Sequence, residues 1–154
     1  MTIAQAIAFT LNGRPTSVEA DPDQPLLDVL RNTCGLKATR LGCGLGQCGA
    51  CTVLLGDEAV RACDTSIAAV AGRSVTTLEG LGTRAVPHPL QLAFIEEQAL
   101  QCGFCTSGML MRSAALLRRN PAPTEAEIRE ALDDNLCRCG VYHRVVRAVR
   151  KACA

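Results

Sequence analysis

The stretch "GCGLGQCGACTV", from Gly42 to Val53, constrains the fold of this chain more than any other. Three cysteines and four glycines fall within the ten residues from Gly42 to Cys51. Glycine supplies no side chain to a core and raises the entropic cost of ordering the backbone, so the main chain itself must be needed close to the thiols. The 154 residues include ten cysteines, far above ordinary usage, and disulfides, structural zinc and an iron–sulfur site compete to explain them. Spacing separates the three.

Cys43, Cys48 and Cys51 are spaced C-x4-C-x2-C, and Cys63 follows after eleven residues; this is the spacing of plant-type [2Fe–2S] ferredoxins. Two bridged irons with four thiolates form a compact anion, which backbone N–H groups compensate only where the chain curls tightly around sulfur. Gly42, Gly44, Gly46 and Gly49 permit that curl. Farther on, Cys102 and Cys105 form C-x2-C and, after 31 intervening residues, Cys137 and Cys139 form C-x-C. Folding the intervening helices together can bring these four sulfurs to one point. Zinc sites favour two C-x2–4-C pairs with a shorter gap. Disulfides suit a secreted chain, whereas the start "MTIAQAIAFTL" has no basic n-region. "CGFC" alone resembles a thioredoxin-type motif, but it lacks a βαβ context and leaves Cys137 and Cys139 unexplained. Two iron–sulfur clusters are expected, with Cys34 and Cys153 as ordinary free thiols.

Residues Ile7 to Ala20 alternate apolar and polar around Asn12-Gly13, a β-hairpin pattern. Leu26, Leu27 and Leu30 have helical spacing beside a proline. "CTVLLGDEAVRAC" gives two strand-like runs around Gly56-Asp57, and "SVTTLEGL" a further one. Beyond "GTRAVPHP" the texture is helical. Leu90, Phe94 and Leu100 lie along one helix, and Met109, Leu110, Leu116 and Leu117 along a second. Thr124 and Glu127 open a third as a capping box, and Val145, Val146 and Val149 line a fourth. The pattern predicts an α+β chain with residues 1–82 as a small α+β unit and 83–154 as a four-helix unit, each with a thin core that a metal staple would support. Met109 and Met111 read as core or interface filler. Arg144, Arg147, Arg150 and Lys151 read as a solvated face near a helix C-terminus, and His88 and His143 as structural or surface residues. A formal net charge of +1 gives no electrostatic case for nucleic acid. No apolar run reaches the length of a membrane span, and the cytoplasm is the expected location.

"LGCGLGQCGACTV", "HPLQ", "QCGFCTSGM" and "NLCRCGVYHRVVRAV", in that order across almost the whole chain, resemble the small iron–sulfur subunit of the molybdenum hydroxylases, the xanthine oxidase and aldehyde oxidase family. The resemblance implies a β-grasp, plant-type ferredoxin-like domain with one [2Fe–2S] cluster on Cys43, Cys48, Cys51 and Cys63. It implies a helical domain with a second cluster on Cys102, Cys105, Cys137 and Cys139. A large partner subunit would carry a molybdenum–pterin cofactor, hydrogen-bonded by Gln101, with Cys139 as the cluster ligand nearest the pterin. Electrons would then pass from molybdenum to the Cys102 set, the Cys43 set and an external acceptor. No catalytic residue is expected in this chain itself.

Where many relatives have proline this chain has Ser107, a good N-cap that should preserve the helix start. Ala38-Thr39-Arg40 replaces a common Gly-Thr-Lys, and "CRCGVY" replaces "CRCTGY". Together with "TTLEGLGTRAVPHPLQLAF", these features look most like nicotinate or isoquinoline dehydrogenase small subunits. That implies an N-heteroaromatic substrate, with an aldehyde or another substrate class as the alternative. The chain stops at Ala154 without a flavin or molybdenum domain, so the acceptor is expected on another polypeptide, an FAD subunit or a haem c cytochrome. A free-standing two-cluster ferredoxin is the rival reading. It gives no reason for a pterin-reading glutamine beside a cluster ligand.

Overall fold

Alternating apolar and polar residues build a hairpin from β1 (Gln5–Leu11) and β2 (Arg14–Ala20), with Ile7, Phe9, Leu11, Val18 and Ala20 turned into a core. Asn12 and Gly13 both take positive φ, 51° and 78°, the mirror-image turn whose twist matches the flanking strands. The structure, a computed structural model, describes residues 4–153; residues 1–3 and 154, the outer ends of the two expected units, lie outside the described residues.

The short helix α1 (Leu26–Asp28) widens into a looser turn that runs to Thr33, where the Cys34 N–H donates to Val29 O at 2.9 Å. It buries Leu26, Leu27, Val29 and Leu30. β3 (Thr52–Leu55) and β4 (Glu58–Arg61) form a second hairpin, and β5 (Ser74–Thr76) lies parallel to β1 and antiparallel to β3. The resulting mixed sheet has the order β2-β1-β5-β3-β4, the expected β-grasp. The strand read into "SVTTLEGL" stops at Thr76, and Leu78–Leu81 form a helical turn, α2. Its end has a cause: the Thr77 N–H donates to the Asn12 side chain, Oδ1 at 2.8 Å, and so does not extend the ladder.

Four helices follow: α3 (Pro89–Glu96), α4 (Thr106–Arg119), α5 (Glu125–Leu132) and α6 (Tyr142–Ala152). α3 ends before Leu100, because Gln98 takes a φ of 49° and the Ala99 N–H closes onto Phe94 O at 2.8 Å. Leu100 is left exposed. Thr124 and Glu127 cap α5 as the sequence suggests. Ser107 does not cap α4: Cys105 holds that position, its carbonyl accepting the Met109 N–H at 3.1 Å, and the Ser107 hydroxyl is buried in the first turn without a partner.

One core gathers Ile7, Phe9, Leu26, Leu30, Val53 and Val75; the other gathers Phe94, Met109, Met111, Ile128, Val145 and Val149. Both methionines are therefore core filler. The cores meet at β3, which is buried along its whole length and turns Val53 and Leu55 to the first core and Leu54 to the second. Covered on both faces, this strand is apolar without alternation. α4 lies against it, which brings the loop before β3 to the start of α4. The basic face of α6 is exposed but paired: Arg147 with Glu97 at 2.9 Å, Lys151 with Glu96 at 2.9 Å, and Arg150 with Glu125 at 3.2 Å. No helix among the described residues is long and apolar enough to cross a membrane.

Candidate metal centre

Between Thr33 and β3 the described chain forms no regular element, and its backbone N–H groups turn to sulfur. Cys43 Sγ accepts from Leu45, Gln47 and Cys48 at 3.3, 3.3 and 3.4 Å. Cys48 Sγ accepts from Cys43 N–H at 3.3 Å, and Cys63 Sγ from Gly46 N–H at 3.4 Å. Donors onto the charged form favour it, and the N–H of Leu45, then those of Cys48 and Gln47, bring the Cys43 thiol down to about 6. A Cβ on Gly42 would stand 2.5 Å from Cys48 Sγ, so the loop closes around its thiols only with glycine there. Cys51 is buried immediately before β3 and Cys63 follows β4, so one hairpin carries two of the four sulfurs. Burial, reinforced by the neighbouring Cys63 and Cys48, pushes the Cys51 thiol up to about 12.

The second group forms where two helices begin. Cys102 and Cys105 lie in the turn before α4, and Cys137 and Cys139 in the turn before α6, where unpaired N–H groups favour an anion. Cys102 Sγ and Cys139 Sγ are 3.5 Å apart, and Cys139 N–H donates to Cys137 Sγ at 3.4 Å. Burial, with Cys137 and Cys102 adding to it, pushes Cys105 up to about 12. At Cys137 burial acts upward but is outweighed by the Cys139 N–H, the Cys105 thiol and the Val141 N–H, so this thiol is lowered.

The sulfurs therefore come in neighbouring twos: Cys43 with Cys48, Cys51 with Cys63, Cys102 with Cys139, and Cys105 with Cys137. Among the described residues no three ligating side chains converge on one ion-sized position. Two sulfurs for each of two irons is the donor set of a [2Fe–2S] cluster. Four thiolates so close, one of them buried in each group, stay ionised together only around a cationic centre. Both groups fit such a cluster.

Cys43, Cys48, Cys102 and Cys139 line a single cleft of about 280 Å³ with Phe104 and Leu136. At its edge the exposed Gln101 donates its amide to Cys139 O at 2.8 Å, which brings together the two residues expected nearest the pterin. Two participants escaped the sequence reading. Buried Asn135 donates its amide to Gly49 O at 3.0 Å beside the Leu136 N–H to Cys48 O bond of 2.9 Å, and the Tyr142 phenol bonds the backbone of Cys137 and Asn135. The signal for this junction was Gly108, a glycine inside a helical pattern: a Cβ there would fall 2.0 Å from Gly49 O. His88 caps α3, and Cys34 and Cys153 stand outside both groups, their thiols raised by burial.

Residues 9–76 match the family described as "2Fe-2S iron-sulfur cluster binding domain", and residues 77–150 the one described as "[2Fe-2S] binding domain". Fold and site thus define a protein with two [2Fe–2S]-binding domains. The chain is 53% identical over 146 residues to a nicotinate dehydrogenase subunit of Pseudomonas putida, covering 95% of this chain and 93% of that protein. It is 52% identical over 147 residues to the alpha subunit of isoquinoline 1-oxidoreductase from Brevundimonas diminuta, covering 95% and 96%. The crystal structure of quinoline 2-oxidoreductase from Pseudomonas putida 86 matches with a TM-score of 0.93 at 39% identity, over 97% of this chain and 94% of the matched chain. The chain belongs to the iron–sulfur subunits of the molybdenum hydroxylase family, oxidoreductases whose substrate chemistry takes place on a partner subunit.

Proposed function

We propose that Cys43, Cys48, Cys51 and Cys63 hold one [2Fe–2S] cluster and Cys102, Cys105, Cys137 and Cys139 a second, and that the chain carries electrons from a partner-held molybdenum–pterin cofactor to an external acceptor. The observation that carries this reading is the pair of two-plus-two sulfur groups joined directly across Cys48–Gly49 and Asn135–Leu136. Each cluster, when bound, takes up and gives back an electron at a potential tuned by hydrogen bonds, charge and exposure. The chain supplies that tuning through backbone N–H donors and burial. Its Gln101–Cys139 edge faces the pterin of the large subunit. The loop tip with exposed Leu41 and Leu45 beside Cys43 faces the acceptor, a flavin subunit or a cytochrome c. Electrons enter at the helical unit (83–154) and leave from the sheet unit (1–82), the division lying in the connection from α2 to α3.

The relatives named above support an N-heteroaromatic substrate such as nicotinate or isoquinoline. Thiols that must stay reduced until iron arrives suit the cytoplasm. The test is purification of the chain together with its large partner, followed by iron, sulfide and molybdenum analysis and anaerobic mixing with nicotinate, isoquinoline and an aldehyde. We expect about four irons and as many sulfides per chain, and bleaching of the iron–sulfur absorbance by an N-heteroaromatic. Bleaching by aldehyde alone would reassign the substrate class, and zinc without sulfide would overturn the ligand sets.

A further inference from the structure

We infer that Tyr142 is a positioning residue for the second sulfur group, its phenol oxygen holding the Cys137 amide N–H away from sulfur and so keeping this group poorer in hydrogen-bond donors than the first. The inference rests on the cluster-ligand reading above. Tyr142 is the one tyrosine in the chain, half-buried at the start of α6. The Cys137 N–H donates to its Oη at 3.1 Å, and the phenol in turn donates to Asn135 O. With its proton committed to Asn135, the phenol oxygen can meet Cys137 only as an acceptor. Asn135 is itself fixed, its N–H bonded to Leu132 O at 2.8 Å and its side-chain amide to Gly49 O at 3.0 Å. The phenol is therefore held between two backbone groups, the Cys137 N–H and the Asn135 carbonyl, the latter on a residue that is itself fixed.

The consequence lies in the contrast between the groups. Five backbone N–H bonds of 3.3–3.4 Å reach sulfur in the first, whereas in the second Cys137 is served by the Cys139 N–H at 3.4 Å and by the Val141 N–H. Donors to sulfur stabilise the more negative, reduced state of a cluster, so an N–H diverted to oxygen makes the cluster harder to reduce. Tyr142 does this to the amide of a ligand cysteine itself, and both hydrogen bonds of its phenol go to backbone groups.

The test is an EPR-monitored redox titration of the complete protein with its partners, comparing wild type, Tyr142→Phe and Tyr142→3-fluorotyrosine. Tyr142→Phe keeps the ring and removes the acceptor, which frees the Cys137 N–H. The electron equilibrium should move toward the second cluster by about three- to tenfold, the worth of one hydrogen bond, where tenfold is about 59 mV for one electron. The first cluster should keep its potential. Fluorination weakens the phenol as an acceptor at nearly constant volume, so it should give a smaller shift of the same sign, and it decides the matter if Tyr142→Phe fails to assemble the second cluster. Unmoved potentials with a lowered melting temperature would make Tyr142 a purely structural residue and overturn the inference. Equal shifts of both clusters would overturn it too. Failure of the underlying ligand reading shows separately, as iron and sulfide missing from the wild-type protein.

Discussion

Gly42 and Gly44 flank Cys43 and are glycine for different reasons. At Gly42 the demand is steric, since an added Cβ would lie 2.5 Å from Cys48 Sγ; at Gly44 it is conformational, since φ is 69° and an added Cβ would meet nothing closer than Leu41 Cδ1 at 3.7 Å. Gly42→Ala should therefore displace a sulfur of the first group and lower iron and sulfide to about half, with loss of one of two EPR signals. Gly44→Ala should keep both clusters and lose about 1–2 kcal/mol of stability, the cost of a left-handed non-glycine residue, seen as a lower melting temperature. Equal iron loss in both variants would mean that the loop does not distinguish them. Residues of this kind are legible in a sequence because a chain curled around sulfur is a local event. Asn135 is not, because the Gly49 carbonyl it meets lies 86 positions away and no periodicity links the two.

Among the elements, α3 carries a titratable cap. His88 Nδ1 accepts the Leu90 N–H at 3.2 Å, while Gln91 returns a bond to the His88 N–H at 2.8 Å. Burial first, and then the Arg118 guanidinium, hold this imidazole below its ordinary value, and only the neutral ring can accept. Because the folded pKa lies below the unfolded value of about 6.5, the stabilisation is complete above that pH and is lost as pH falls through the folded value. His88→Asn keeps an acceptor that does not titrate. Relative to this variant, wild type should lose about 1 kcal/mol, the usual worth of an N-cap, between neutral and mildly acidic pH in melts followed by circular dichroism; parallel curves would exclude the cap as the cause. The cap region is a place where sequence and structure part. Proline after His88 and the Thr124–Glu127 box announce helix starts by local chemistry. The closing turn at Gln98 follows no glycine, and Cys105 takes the cap that Ser107 was expected to hold. Both departures sit beside the Cys102–Cys105 turn, where placing sulfur outweighs helix propensity.

On the scale of the molecule, the sheet and the helices touch backbone to backbone where the sulfur groups meet, through the Leu136 N–H to Cys48 O bond. Leu54 joins the helical core from the sheet, and Arg61 pairs across the junction with Asp134, which Arg112 holds from its own side. The tightest point is the approach of Gly108 on α4 to Gly49 on the first loop, where an added Cβ would fall 2.0 Å from the carbonyl oxygen. Gly108→Ala must force the two backbones apart by about 1 Å or more to restore ordinary contact, at the cost of about 1–3 kcal/mol that overpacking usually incurs. Neither glycine is a sulfur ligand, so both clusters should still assemble. What should change is their spacing: magnetic coupling between the two reduced clusters, read as splitting in low-temperature EPR, should weaken while iron and sulfide stay at wild-type levels. Gly103→Ala is the control, since its φ of 78° strains the backbone while an added Cβ meets nothing within 4 Å, and it should lose stability without losing coupling. Undiminished coupling in Gly108→Ala would show that the spacing of the two groups is set elsewhere, by the Asn135 and Leu136 bonds to the loop.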